Sequence, residues 1–512
     1  MATGTPGDPA CRIASRSDAG ELSTAIREAT DAAVRSVGTT GASALEPLLL
    51  VSRDGTTAFF AECTAAGATD VVSRLDDGGL PEGEADAVVD HDEQPGGLPV
   101  PPLSPLDLGT RSVLSPCGWV RPTVPEDYRS AGGFATLSTD ASDLREAARA
   151  VPGRGWGDAS ADEPVGETWD GVAAAGGDPA VVVNAHGSPG DALVLESAPF
   201  LALEGALAAA RAVGAGDVVV YLVATADLAR ERVETAVEEL PDEGRSGIDV
   251  RVHTGPDEHR AAEPTMALEA IEGNHRLEAR LRPPAPDTEG LHGRPTLIHT
   301  PRTLAQVVRA AGGASPTRLV TVRGDGGDAR GDGGAVRGDE EATIELPEGA
   351  SLSVAGDAVD AGGSVKAACV GGQFGGLTPD LDIAASADDL AAAGLGTDGV
   401  VDLLGEDRCV VAYVGEKARY GKAENCGRCV PCREGSTQLT ALLREVYDGS
   451  FRRGDVEELL RVMRSTSVCA FGSHMTRPVA TALEHFEAEF AAHADGRCPA
   501  GACPELPREV AA

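Results

Sequence analysis

Lysine is nearly absent from this sequence. Only Lys366, Lys417 and Lys422 occur, so 40 of the 43 basic residues are Arg, against 81 Asp and Glu and a net charge of −38. The acidic residues are spread along the chain and are not confined to one tail. A diffuse acidic surface with little Lys is typical of proteins adapted to high salt, where ions screen the self-repulsion. The same charge argues against nucleic acid, itself a polyanion, as a partner.

Long apolar runs and aromatic side chains are also scarce. Aromatic residues make up 3% of the chain, and no run approaches the roughly 20 apolar residues of a membrane-spanning helix. The first residues, "MATGTPGDPACRIASRSD", lack the basic and apolar regions of a secretory signal. The sequence therefore predicts a cytoplasmic protein, or a subunit peripheral to a membrane complex, with no direct membrane insertion.

Cysteine is used sparingly until the last fifth of the chain. Six of the 11 cysteines follow residue 425, and three of these stand two residues apart in "ENCGRCVPCREG". Such clustering without a secretion signal is typical of metal binding and not of a disulfide framework.

The order of apolar and polar segments predicts an α/β protein of several domains, because 512 residues exceed one compact core. Alternating segments such as "PAVVVNAHGSPGD" and "APFLALEGALAAARAVG" indicate a Rossmann-like parallel sheet. Short strands and then helices follow. The predicted divisions are a variable N-terminal region with an acidic linker (1–116), a Rossmann-like domain (117–310), a β-grasp-like module with a flexible Gly-rich loop (311–376), a four-helix bundle (377–493) and a tail (494–512).

Three thiolates on one short loop reach one side of a metal centre. A single zinc ion is usually held by two separated pairs of ligands. A cubane [4Fe–4S] cluster offers several iron corners and takes its fourth cysteine from elsewhere in the chain. Cys469, in "STSVCAFGSH", is the candidate for that fourth ligand to a centre with Cys426, Cys429 and Cys432. The spacing favours the cluster over zinc.

These motifs resemble the flavoprotein subunit of respiratory NADH:quinone oxidoreductase (complex I), a family shared with NAD-reducing hydrogenases. "ENCGRCVPCREG", "SVCAFG", "GGQFGGLTPDLDIAAS" and "CGWVRPTVPEDYRSAGGFATL" carry the resemblance, which extends over about 117–503. It implies an FMN-type Rossmann-like domain, a β-grasp module and a four-helix domain whose [4Fe–4S] cluster is held by Cys426, Cys429, Cys432 and Cys469. It also implies NADH oxidation on FMN, electron transfer to the cluster, and a thioredoxin-like iron–sulfur subunit as partner.

The flavin loop departs from the family pattern. "GRGWGDASADEPVGETW" keeps Gly153, Arg154 and Gly155 but has Trp156 in place of Gly, an acidic insertion and no Lys. Elsewhere three counterparts of the family's FMN and NADH residues remain: Asn184, Glu263 and Thr303. A phosphate cradle works through backbone N–H donors and positive charge, which Asp158, Asp162 and Glu163 would oppose.

Two functional interpretations follow for the whole chain. It is an NADH-oxidising flavoprotein whose flavin loop has diverged, or a non-catalytic relay or scaffold that keeps the cluster without FMN and NADH chemistry. The sequence leaves open whether the chain is an enzyme. Of the remaining cysteines, Cys498 and Cys503 are interpreted as a remnant of a longer ferredoxin-like extension, and Cys369 and Cys409 as core thiols.

Overall fold

The structure, a computed structural model, describes residues 9–17, 19–75, 79–245, 247–324 and 341–504. Apart from Gly324, the Gly-rich segment predicted as a flexible loop lies outside these residues, as does the tail after residue 504. The strands are β1 (Ala10–Ala14), β2 (Ala33–Val37), β3 (Leu48–Arg53), β4 (Thr56–Phe60), β5 (Ala87–Asp90), β6 (Ala180–Ala185), β7 (Asp217–Val223), β8 (Asp249–Gly255), β9 (Thr296–His299), β10 (Thr317–Arg323), β11 (Glu341–Pro347), β12 (Val365–Val370), β13 (Gly376–Thr378) and β14 (Val400–Gly405).

Helices occupy the segments between strands and the C-terminal part of the chain. They are α1 (Gly20–Ala29), α2 (Ala65–Ser73), α3 (Pro125–Ser130), α4 (Ala141–Arg149), α5 (Val165–Ala175), α6 (Pro189–Ser197), α7 (Pro199–Val213), α8 (Asp227–Glu238), α9 (Asp242–Arg245), α10 (Pro264–Ile271), α11 (Pro301–Ala311), α12 (Ala387–Ala392), α13 (Val410–Glu424), α14 (Val430–Tyr447), α15 (Arg453–Thr466), α16 (Ala470–His474), α17 (Arg477–His485) and α18 (Glu487–Ala494).

Three sheets organise the chain before the helical bundle. The first has the order β2-β1-β3-β4-β5, in which only the β1–β2 pair is parallel. The second is the all-parallel sheet β8-β7-β6-β9. The third has the order β11-β10-β14-β12-β13, so it takes β14 from beyond residue 376.

The parallel sheet is covered on both faces, which is why its inner strands β6 and β7 are almost wholly apolar, whereas the edge strand β8 is partly polar. Val181 and Val183 of β6 pack into one apolar cluster with α7, whereas Val182 lies in a second cluster with Leu268 of α10. Alternate residues of a strand point to opposite faces, so this division places a helical layer on each side. The carboxyl ends of β6 and β9 then meet the loop between α4 and α5.

Helices α13, α14, α15 and α17 form the C-terminal bundle. Leu439 and Leu443 of α14 pack with Val414 of α13, Leu460 of α15 and Val479 of α17. The predicted α/β class, with a Rossmann-like parallel sheet, a small β-grasp module and a C-terminal helical bundle, is confirmed.

Among the described helices, no single one is both long and apolar enough to cross a bilayer. Helices α6 and α7 meet the length and composition criteria only as a pair, and they are bent by 100° at their junction.

A buried carboxylate fastens the segment before α4 to the parallel-sheet domain. Glu204 of α7 accepts hydrogen bonds from Tyr128 Oη (2.6 Å) and Phe134 N (2.8 Å) through one oxygen. Its other oxygen accepts from Thr136 N (2.9 Å) and Thr136 Oγ1 (2.6 Å). Both oxygens are fully used, and Glu204 is inaccessible to solvent.

We expect Glu204→Gln to lower the free energy of unfolding by about 2–4 kcal/mol, because the new NH₂ group would face two buried donors and leave them unpaired. Chemical denaturation followed by circular dichroism measures the change. Glu231→Gln, on the exposed face of α8, is the matched control and should change stability by less than about 0.5 kcal/mol. Equal stability of the two variants would contradict this role.

Candidate functional site

The four predicted cluster cysteines lie at the ends of three helices. Cys426 is in the turn after α13, Cys429 is the residue before α14, and Cys432 is in the first turn of α14. Cys469 immediately precedes α16. The bundle packs the segment that follows Cys469 against the first turn of α14. The two approach so closely that a Cβ atom added to Gly472 would lie 3.0 Å from the Cβ atom of Cys432.

The structure brings all four thiols close enough for their charges to interact. Burial raises the pKa of the Cys432 thiol, and the charges of the other three cysteines raise it further. Burial likewise raises the pKa of Cys469 to about 12, with further contributions from Glu263, Cys426 and Cys429. Thiolates crowded in this way require positive charge, which a bound metal centre supplies.

The four cluster cysteines do not form as compact a group as the ligands of a single ion. Four thiolates on one zinc ion lie about 3.8 Å apart, given a Zn–S distance of about 2.3 Å. In the described parts of the chain, only Cys409, His493, Cys498 and Cys503 form a group whose donor atoms all lie within 4.8 Å of one another. Cys426, Cys429, Cys432 and Cys469 do not form such a group, which suits a polynuclear cluster better than a single ion.

Local hydrogen bonds fix the loop that carries Cys426 and Cys429. Asn425 Oδ1 accepts from Gly427 N (3.0 Å), and Arg433 Nη1 donates to Gly427 O (2.7 Å). Gly427 has φ +76°, a backbone conformation that glycine adopts without strain. The loop is thereby held in a defined shape between the two helices.

Aromatic and imidazole rings connect the cysteines with the flavin loop. Trp156 stacks on His259 with ring centroids 5.3 Å apart and planes 7° apart. The centroid of the Trp156 ring also lies 6.3 Å from that of Phe471 and 5.7 Å from that of His474. Burial lowers the pKa of both His259 and His474 to about 3, so both imidazoles are neutral at ordinary pH. No local sequence pattern indicates this contact, because it joins three distant segments.

Several backbone donors of the flavin loop are already engaged within the chain. Arg154 N donates to Thr303 Oγ1 (2.8 Å), and Gly153 N donates to Glu163 O (2.9 Å). Two further loop donors bind carboxylates: Trp156 N donates to Asp398 Oδ1 (2.8 Å) and Ser160 N to Asp158 Oδ1 (2.9 Å). These carboxylates thus occupy backbone N–H groups of the kind that an anion-binding loop offers to a phosphate.

The retained glycines allow the loop to pack tightly against its own chain. A Cβ on Gly153 would lie 2.3 Å from Ser160 O. Gly155 has φ +87°, and a Cβ there would lie 1.9 Å from Arg302 Nη2. The space beside Gly155 is therefore filled by an arginine side chain.

The buried arginines around the loop are each paired with a carboxylate of this chain. Arg302 lies 3.4 Å from Asp191 and 3.1 Å from Asp398, and Arg154 pairs with Glu348. Burial raises the pKa of Asp191 to about 6, although the charge of Arg302 opposes the shift.

The acidic insertion is distributed between the interior and the surface. Asp158 is buried, lies 3.0 Å from His299 Nδ1 and accepts from Thr300 N (3.2 Å). Asp162 lies 3.6 Å from Arg318, and Glu163 is exposed. Two of the three acids thus lie beside the loop, where they would oppose a phosphate.

The other predicted flavin-site residues support the same segments. Asn184, at the end of β6, donates through Nδ2 to Gly157 O and to Ala262 O, both at 2.8 Å. Glu263 caps α10 by accepting from Thr265 N and pairs with Arg282 at 3.0 Å. The structure therefore brings Asn184 and Thr303 to the loop directly.

A cavity of about 550 Å³ separates the loop from the cluster cysteines. It is lined by Trp156 on one side and Cys469 on the other. Its charged lining residues are four acids and two arginines: Asp158, Asp162, Glu263, Asp398, Arg282 and Arg477. The volume is that of a small-molecule site, but the acidic lining and the engaged loop donors do not fit the phosphate of FMN.

Known proteins resemble this chain in sequence. Residues 412–493 match the family described as the NADH-ubiquinone oxidoreductase-F iron-sulfur binding region. The second F-type subunit of NADH-quinone oxidoreductase from Rhizobium meliloti (strain 1021) is 32% identical over 408 residues, which cover 73% of this chain and 95% of that protein. The NADP-reducing hydrogenase subunit HndC of Solidesulfovibrio fructosivorans is 28% identical over 438 residues, covering 78% of this chain and 86% of its own.

Solved structures show the same fold. A crystal structure of NAD⁺-reducing [NiFe]-hydrogenase in the H₂-reduced state superposes with a TM-score of 0.61 at 22% identity, covering 96% of this chain and 85% of that one. The air-oxidised state gives a TM-score of 0.64 at the same identity.

We expect Asp398→Ala to create an anion site at the loop, because it frees Trp156 N and leaves the Arg302 guanidinium with one carboxylate fewer. Inorganic phosphate should bind this variant at least about tenfold more tightly than the parent protein, a difference of about 1.4 kcal/mol. Isothermal titration calorimetry measures the affinity. Asp407→Ala, at an exposed position, should behave like the parent, and unchanged phosphate binding by Asp398→Ala would refute the account of the loop.

Proposed function

Since this chain belongs to the NADH-quinone oxidoreductase-F family, we propose that it is an electron-transfer subunit that holds one [4Fe–4S] cluster through Cys426, Cys429, Cys432 and Cys469. The observation that carries the proposal is the meeting of these four thiols within the matched iron–sulfur binding region. Three cysteines on one short loop, with the fourth supplied by a distant segment, support a polynuclear centre. When bound, such a cluster accepts and donates one electron at a time.

The residues around the cysteines would control solvent access and potential. Phe374, Met463, Phe471 and Met475 form an apolar cluster that includes Cys432. An apolar surrounding of this kind lowers the local dielectric and is one determinant of a cluster's reduction potential. The chain's part in electron transfer is therefore to hold the thiolates, exclude water on this side and leave the opposite side accessible.

The flavin loop favours the relay over the NADH-oxidising interpretation. Asp398 and Asp158 occupy loop donors, Arg302 fills the space beside Gly155, and Trp156 lines the cavity together with Cys469. An FMN phosphate would have to displace these carboxylates from buried arginines. The function best supported is thus a cluster-bearing relay within the family, without hydride transfer on this chain.

A redox partner should approach the cysteine side of the bundle. Val430 follows Cys429 and is 59% exposed, and Val468 precedes Cys469 and is 37% exposed. Exposed apolar residues beside an electron-transfer centre are typical of a docking surface. We assign this surface to a thioredoxin-like iron–sulfur subunit of a larger redox complex, and we place the chain in the cytoplasm, peripheral to a membrane. The names of the relatives, which are themselves subunits, support the larger complex.

We expect Cys429→Ser to lose most of its iron and acid-labile sulfide, together with the visible absorption of the cluster, because a serine hydroxyl is a poor ligand for iron. The Cys429 side chain makes no capping hydrogen bond to α14, so the helix should persist. Iron and sulfide are measured on protein purified anaerobically in high salt. Cys63→Ser, a half-buried thiol in the first sheet domain, is the control, and full iron content in Cys429→Ser would overturn the assignment.

We expect the purified protein to contain iron but no flavin, because the loop donors are engaged by carboxylates. An acid extract should show no flavin fluorescence, and NADH should leave the visible spectrum unchanged while dithionite bleaches it. Stoichiometric FMN, with bleaching by NADH, would restore the NADH-oxidising interpretation and leave the cluster proposal intact.

A further inference from the structure

A second group of thiols lies at the other end of the helical bundle. We infer that Cys409, His493, Cys498 and Cys503 form a closed Zn²⁺ site. All four residues are buried, with exposed fractions of 8% or less. The sequence interpretation of Cys498 and Cys503 as a remnant, and of Cys409 as a core thiol, did not anticipate that the fold brings them together around an imidazole.

The distances are those of a single tetrahedral ion. Cys409 Sγ lies 3.2 Å from His493 Nε2 and 3.6 Å from Cys503 Sγ. Cys503 Sγ lies 3.5 Å from His493 Nε2, and all four donor atoms are within 4.8 Å of one another. Ligands around one zinc ion lie about 3.5–3.8 Å apart, given Zn–S of about 2.3 Å and Zn–N of about 2.0 Å. The group is too compact to enclose a cubane cluster.

The imidazole is oriented for metal binding. His493 Nδ1 lies 2.7 Å from Glu489 O, the geometry of an N–H donated to a carbonyl. That bond fixes the tautomer in which Nε2 carries the lone pair, and Nε2 is the atom that faces the sulfurs. Many zinc-bound histidines have this second contact.

Two neighbours support the thiolates. Ala412 N donates to Cys409 Sγ (3.4 Å), so the sulfur also caps α13. Tyr447 Oη lies 3.7 Å from Cys503 Sγ at the end of α14. Hydrogen bonds of this kind stabilise negative charge on sulfur, and each thiol would release its proton to solvent as the ion binds.

Donor type selects the metal. Three soft thiolates and one imidazole in a closed tetrahedral arrangement are typical of structural zinc, which has no redox chemistry. A mononuclear iron site and a Cys409–Cys503 disulfide are the competing outcomes. A disulfide would leave the third thiol and the oriented imidazole without a role. Mononuclear iron could use all four donors, so metal analysis must distinguish it from zinc.

The site would join three segments, two of which are also linked by the hydrogen bond from Val410 N to Glu489 Oε2 (3.2 Å). Cys409 precedes α13, His493 lies in α18, and Cys498 and Cys503 belong to the loop that follows. Helix α13 has 15 residues and so extends about 22 Å from Cys409 towards the turn that holds Cys426. Zinc at one end would hold the bundle together, while the proposed iron–sulfur cluster occupies the other.

Metal analysis of the full-length protein tests the inference. Wild-type protein expressed with added zinc should contain one zinc ion per chain in addition to its iron. Cys498→Ser and Cys503→Ser should each lose at least about nine-tenths of the zinc while keeping their iron and sulfide. Cys369→Ser removes a buried thiol from the same apolar cluster and should keep both metals. Because zinc and iron are counted separately, this test can fail without the cluster proposal failing.

A measurement on wild-type protein covers the case in which the variants do not fold. After zinc is removed with a chelator, Co²⁺ should restore one metal per chain and give the intense visible absorption of tetrahedral cobalt bound to thiolates. The inference would be overturned by wild-type protein that takes up neither zinc nor cobalt, or by zinc retained in both serine variants. Iron found in place of zinc, or a Cys409–Cys503 disulfide found by mass spectrometry, would also overturn it.

Discussion

The bundle depends on the contact that closes α14 against the segment before α16, because this contact brings Cys469 to the three cysteines of one short loop. Buried thiols that raise one another's pKa cannot all ionise without positive charge between them. A cluster supplies that charge, and the apolar residues Phe374 and Phe471 then enclose it. Helices α13 and α14 extend from this contact to the opposite end of the bundle.

The flavin loop shows how a binding site can keep its backbone and lose its ligand. Gly153 and Gly155 still allow the tight turn, but the turn now packs on Arg302 and Ser160. Asp398 and Asp158 accept from donors of the loop, and each buried arginine nearby has a carboxylate partner. A fold shared with NAD⁺-reducing hydrogenase therefore does not by itself specify hydride chemistry, since function depends on the site.

Local patterns were enough to predict the architecture. Short apolar runs alternating with helical segments predicted the parallel sheet, apolar residues at helical spacing predicted the bundle, and the spacing of Cys426, Cys429 and Cys432 predicts the ligand loop of the proposed centre. The pairing of Trp156 N with Asp398 spans 242 residues and leaves no local pattern. The sequence analysis did not predict the group of Cys409, His493, Cys498 and Cys503 for the same reason, since Cys409 lies 84 residues before His493.

The most direct test of the cluster assignment is quantitative electron paramagnetic resonance on the wild-type protein, reduced with dithionite under anaerobic conditions. The structure predicts one signal from a reduced [4Fe–4S] cluster that integrates to one spin per chain, with no high-spin ferric signal in the oxidised sample. A protein without a cluster signal, or one whose only iron signal is that of a mononuclear site, would contradict the account.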